Sequence, residues 1–151
     1  MRIAMMGAGG IGGYFGAKLG LAGADVRFVA RGAHLAALRE QGLIVESDQG
    51  TINLPNVQAS DDPLAFGPVD LVVIGVKLWD TEGAARAVLP LVQGGAAVVS
   101  FQNGVRKDDI LRDVAGRDAL IGGVSYIAAS IARPGVIRHV GAMQKLVFGE
   151  F

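Results

Sequence analysis

Six residues near the start of the chain, Gly7-Ala8-Gly9-Gly10-Ile11-Gly12, have the spacing G-x-G-x-x-G. In that pattern the first glycine permits a sharp turn out of a strand. The second leaves the backbone bare so that a diphosphate can come close, and the third lets the following helix pack tightly on the strand. The phosphates would then face the free N–H groups and the positive end of the helix. The chemistry on offer is the binding of a dinucleotide. The alternative is a packing turn with no ligand. With 23 glycines in 151 residues, the motif gains its weight from its surroundings: an apolar run at residues 2–6 before it and a helical pattern after it.

The residue type at the end of the second strand selects among dinucleotides. An Asp or Glu there accepts a hydrogen bond from a ribose 2′-OH. This chain has Val29-Ala30-Arg31-Gly32. A guanidinium can bind a 2′-phosphate through paired charged hydrogen bonds, whereas a carboxylate would repel it. Arg31 therefore favours NADP(H) over NAD(H), with a solvated loop arginine as the plain alternative. Two further polar residues follow strongly apolar runs, where open α/β sheets place their ligands. Lys77 follows residues 69–76, and burying it without an anionic partner would be costly. A solvent-facing lysine is its alternative. Asn103 follows residues 96–101, and an Asn-Gly turn explains it equally well.

The elements that must position these residues alternate. Strands are expected at 2–6, 25–30, 69–76, 96–101 and 119–125. Helices are expected at 10–22, 34–41, 81–92 and 108–114. The most hydrophobic strand, 69–76, should be central. Gly13 and Gly16 are expected to pack the first helix on the sheet. Two short strands at 43–46 and 51–54 flank the turn Ser47-Asp48-Gln49-Gly50 and read as an excursion outside the sheet core. Arg133-Pro134-Gly135-Val136 has the residues of a type II turn and should join strands 125–131 and 136–140, with a last strand at 144–148. The expected fold is α/β, Rossmann-like and doubly wound, with a mostly parallel sheet covered on both faces and an antiparallel extension at the C-terminal end.

Composition excludes several classes. Hydrophobic residues make up 51% of the chain, which is ample for a core, and 14 basic residues balance 14 acidic ones. A chain with no basic excess is poorly suited to nucleic acid. There is no cysteine, so disulfides, thiolate metal sites and cysteine nucleophiles are excluded. The two histidines are far apart and suggest no metal site. His34 is expected on a helix surface, and His139 has no visible partner. Tyr14 and Trp79 read as packing residues. The glycines and Lys18 interrupt the N-terminal apolar run, which argues against a targeting or membrane segment. A cytoplasmic protein is expected.

Taken together, Arg2 through Gly12, Arg31, Val76-Lys77-Leu78-Trp79, Gln102-Asn103-Gly104 and Pro134 through His139 resemble the N-terminal domain of ketopantoate reductases (2-dehydropantoate 2-reductases) over essentially the whole chain. The resemblance implies an NADP-binding domain at residues 1–151 and reduction of a 2-oxo acid, 2-dehydropantoate, to its alcohol for pantothenate synthesis. It implies that Gly7, Ala8, Gly9, Gly10, Ile11 and Gly12 hold the diphosphate and that Arg31 holds the 2′-phosphate. Lys77 and Asn103 would lie near the nicotinamide half and the substrate, and Ala128 would supply a backbone contact to cofactor. Gln102 departs from members that carry His there. The resemblance also implies that the general-acid lysine belongs to a second, helical domain, expected beyond residues 1–151. Cofactor binding with little or no turnover is therefore expected, and a homodimer is left open. The rival readings are a non-catalytic NADP(H)-binding module and another two-domain dehydrogenase acting on a related acid or a sugar phosphate.

Overall fold

The computed structural model describes residues 1–150. Its elements run β1 (Arg2–Met6), α1 (Gly10–Leu21), β2 (Asp25–Val29), α2 (Gly32–Gln41), β3 (Leu43–Ser47), β4 (Gly50–Leu54), β5 (Gln58–Ser60), β6 (Leu71–Ile74), α3 (Thr81–Gln93), β7 (Ala97–Ser100), α4 (Lys107–Ala115), β8 (Leu120–Arg133) and β9 (Val136–Gly149). Nine strands form one sheet in the order β4-β3-β9-β8-β7-β6-β1-β2-β5. From β5 to β8 all neighbours are parallel. The β8–β9 pair is antiparallel. No helix among the described residues is long and apolar enough to cross a membrane.

The parallel part is covered on both faces, and β1 shows why its sequence is a continuous apolar run. Ile3 and Met5 enter the core shared with Tyr14, Phe28 and Ile137, while Ala4 and Met6 enter the one shared with Val72, Ile74 and Val88. A strand buried on both sides has no polar alternation to display. Helix α1 lies close to the sheet through small residues. A Cβ on Gly13 would come within 2.7 Å of Ile137, and one on Gly16 within 2.5 Å of Phe28.

Three expectations about the elements need correction. The 43–54 hairpin is part of the sheet, because β3 pairs in parallel with β9 from Ile44↔Val136 to Ser47↔His139 and buries Leu43 and Val45 completely. The four expected strands after residue 119 are two strands of 14 residues each. Their break is a bulge: Ile127 pairs with Gln144 but Ala129 with His139, which leaves residues 140–143 of β9 looped out. Gly141, at φ +80°, turns that loop. The strand expected over 69–76 is shorter at both ends, Leu71–Ile74; the Gly75 N–H still donates to the Met6 carbonyl at 2.9 Å, and Val76 packs over Gly7 in the loop after β1. The type II turn stands, with Gly135 at φ +78°.

Candidate functional site

Strand β1 neighbours β2 on one side and β6 on the other. The carboxyl ends of β1 and β6 flank the point where the strand order reverses, and a crevice opens there in folds of this kind. The loop after β1 builds one wall. Gly7 sits at φ +106°, with Val76 crowding the place of a side chain at 2.9 Å. Only glycine adopts that turn at no cost. The N–H groups of Gly7 and Ala8 both donate to the Val29 carbonyl, at 3.2 and 3.0 Å. These two residues therefore shape the turn and stitch it to β2, and their amides are not free for a ligand. The ladder of α1 begins with the Gly13 N–H donating to the Gly9 carbonyl at 2.7 Å. The amides of Gly10, Ile11 and Gly12 precede that first bond and have no partner within the helix. No side chain caps them, and no acidic residue lies in the first turn.

Steric surroundings separate the glycines. A Cβ on Gly12 would lie 2.0 Å from the Gly7 carbonyl oxygen, and one on Gly10 would lie 2.1 Å from that of Ala129. Packing alone requires glycine at both positions. A Cβ on Gly9 would meet nothing within 4 Å, and Gly9 has an ordinary φ of −76°. Nothing in the protein itself demands glycine there. The bare backbone instead borders a cleft of about 760 Å³, within the range of small-molecule sites.

Arg31, Lys77 and Asn103 all line this cleft. Arg31 directly precedes α2 and is exposed. Lys77 lies three residues beyond β6 and is also exposed, so the burial cost that drew notice to it does not apply. Among the described residues neither cation has an ion-pair or hydrogen-bond partner, which leaves two positive charges available to an anionic ligand. Ala128 is not brought to the cleft with the others. Strand alternation presents its neighbours Ile127 and Ala129 to the cleft instead, and the β-bulge falls between them.

Two residues that matter to the wall were misjudged from sequence. His34 is half-buried, not a free surface histidine. Its Nδ1 accepts from the Gly135 N–H at 3.0 Å, and its Nε2 is 2.8 Å from the Ala8 carbonyl, to which it donates. It is a strut between the glycine loop and the β8–β9 turn. Its place one helical turn after Arg31 was the available signal. Gln102 stood out only as a departure from family members with His; it is 5% exposed and makes hydrogen bonds to three segments. His139 does have partners: it is fully buried, 3.0 Å from the Ser47 hydroxyl, 2.8 Å from the Met143 carbonyl, and its ring lies 4.5 Å from that of Tyr14 at a tilt of 37°. Tyr14 packs as expected, and burial raises the pKa of its phenol. Trp79 does not pack: it is 81% exposed on the cleft rim.

Residues 3–151 match the family described as ketopantoate reductase PanE/ApbA. The chain belongs to that family. A 2-dehydropantoate 2-reductase from Geobacter metallireducens superposes with a TM-score of 0.92 at 36% identity, over 100% of this chain and 50% of that one. A 2-dehydropantoate 2-reductase from Nostoc sp. is 30% identical over 99% of this chain and 46% of its own length. The chain thus spans about half the length of the curated relatives it matches. A D-mandelate dehydrogenase in ternary complex with NADH and anilino(oxo)acetate shares the fold at a TM-score of 0.85 and 22% identity.

Proposed function

We propose that this ketopantoate reductase-family domain binds NADP(H) in the cleft beside β1 and forms the cofactor half of an enzyme that reduces a 2-oxo acid, with 2-dehydropantoate as the favoured substrate. The observation that carries this reading is Gly9: a glycine with no internal reason to be one, facing open space beside uncapped amides. Residues 10–12 offer those amides to a diphosphate. Arg31 offers its guanidinium to the adenosine 2′-phosphate. When bound, the reduced nicotinamide supplies the hydride that makes the carbonyl an alcohol. Lys77, unpaired and exposed, is suited to hold the carboxylate of a 2-oxo acid or the ribose beside it, and Asn103 to fix the same end by its amide.

The neighbour solved with NADH has this fold at low identity, so fold does not decide between the two nicotinamide cofactors. Arg31, an exposed cation just beyond β2 on the cleft, is the local feature that supports NADP(H). Arg31→Ala should weaken NADPH binding by about 1.5–3 kcal/mol, the range for hydrogen bonds to charged groups, and leave NADH nearly unchanged. Trp79, the only tryptophan of the chain, reports binding from the cleft rim by its fluorescence, and calorimetry checks it. Equal losses for the two cofactors would refute the assignment.

A further inference from the structure

Lys77 has no side-chain partner among the described residues, so its direction is set by the backbone beneath it. That backbone is held on both sides by one buried network. The Gln102 Nε2 donates to the Val76 carbonyl at 2.7 Å, just before Lys77, and to the Thr81 hydroxyl at 2.9 Å. Thr81 in turn donates to the Leu78 carbonyl at 2.7 Å, just after Lys77. The Ser100 hydroxyl donates to the Gln102 Oε1 at 2.8 Å and accepts from the Gln102 backbone N–H at 3.2 Å. Thr81 and Ser100 are fully buried.

The Thr81 hydroxyl also lies 3.2 Å from the Gln102 Oε1, and its shorter contact with the Leu78 carbonyl takes its proton; the proton count then fixes the orientation of the Gln102 amide. Both Nε2 protons are used, and each hydroxyl gives its single proton once. Turning the amide over would set the Gln102 Oε1 against the Val76 carbonyl, two acceptors with no proton between them. Buried networks satisfied in this way hold a single geometry. Gln102 is also the residue before Asn103, so the same side chain ties the loop after β6 to the end of β7.

We propose that Gln102 is a positioning residue that holds Lys77 at the nicotinamide end of the cleft, with Thr81 as its relay; this rests on the cofactor reading above. Although Gln102 borders the cleft, its side-chain amide is committed to the protein's own hydrogen bonds, and it acts through the Val76 carbonyl and, by way of Thr81, the Leu78 carbonyl.

The test measures dissociation constants of NADPH and of adenosine 2′,5′-bisphosphate, which lacks the nicotinamide half. The proteins are the wild type, Gln102→Met and Thr81→Val, each with and without Lys77→Ala. Gln102→Met should weaken NADPH about tenfold, the effect of losing one net buried hydrogen bond, and leave the bisphosphate within about twofold. Thr81→Val should show the same pattern at about threefold. Both losses should vanish in the Lys77→Ala background. Equal losses for the two ligands, or losses undiminished when Lys77 is gone, would overturn the proposal. If Gln102→Met does not fold, Thr81→Val decides by the same criteria. A wild type that binds NADPH while neither variant alters it sinks this proposal alone. A wild type that binds no NADPH sinks the cofactor reading and this proposal with it.

Discussion

Gly9→Ala separates what the fold needs from what a ligand needs. The backbone at Gly9, φ −76° and ψ −157°, is one that alanine adopts freely. Among the described residues, no atom beyond its own chain neighbours lies within 4 Å of the added methyl. The folded state therefore loses nothing, and the unfolded chain loses some freedom. Thermal unfolding should show no change or a gain of up to about 1 kcal/mol. A diphosphate laid against this backbone would meet the methyl and be pushed off the helix amides. Losing one charged hydrogen bond costs about 1.5–3 kcal/mol, or about 10- to 150-fold in Kd. NADPH and NADH share the diphosphate and should lose the same factor. Gly12→Ala is the contrast: its methyl would lie 2.0 Å from a backbone oxygen, an overlap of the kind that costs about 1–3 kcal/mol or more in stability. Calorimetric titration and a melting curve on one preparation give both numbers. A well-folded Gly9→Ala protein that binds NADPH as tightly as wild type would show that no diphosphate lies there.

Other outcomes follow from the same geometry. His34→Ala removes the strut between Ala8 and Gly135 and should lower stability by about 1–2 kcal/mol in chemical denaturation, with a few-fold loss of NADPH affinity. At the far end of the sheet, Arg27 donates to Asp25 from Nε at 3.2 Å and from Nη2 at 2.9 Å. These bonds hold the Asp25 carboxyl below its ordinary pKa, against an opposing effect of burial. A lowered folded pKa stabilises above the unfolded value, about 3.9, and that stability is lost as pH falls through the folded value. Asp25→Asn should thus cost no more than about 1 kcal/mol at pH 7, as for a partly exposed pair. The gap to wild type should close below about pH 4, with cofactor affinity at pH 7 unchanged.

The parallel core was legible because burial on both faces leaves an unbroken apolar run, as in β1 and β6, and glycine marks where each run turns. The cleft residues were legible where chemistry and position coincide, as at Gly9 and Arg31. The partnership of β3 with β9 was not, since a pairing between residues 44 and 136 leaves no local pattern in either segment. Nor was the bulge that loops out residues 140–143, which reads in sequence as a gap between two strands. His34 and Gln102 escaped for a related reason. Each is a polar residue whose partners, Gly135 for one and Val76 and Thr81 for the other, come from distant segments, so a local pattern showed only an ordinary surface or loop residue.

The order of the cleft residues along the sheet implies an orientation. Arg31 follows β2, the glycine loop follows β1, Lys77 follows β6 and Asn103 follows β7, and these four strands are consecutive neighbours. At about 4.8 Å per strand, the row spans about 14 Å. An NADPH molecule laid along it with its 2′-phosphate at β2 meets the guanidinium, then the free amides, then the lysine and the asparagine, which is the order of 2′-phosphate, diphosphate and nicotinamide in the cofactor. Reversal would bring the 2′-phosphate to Lys77 and the nicotinamide to Arg31. The two orientations differ in which cation controls the preference for NADPH over NADH. In the proposed one Arg31→Ala should erode that preference by about tenfold or more, while Lys77→Ala should weaken both cofactors alike and keep the ratio. If Lys77→Ala collapses the ratio and Arg31→Ala leaves it intact, the cofactor runs the other way across the sheet.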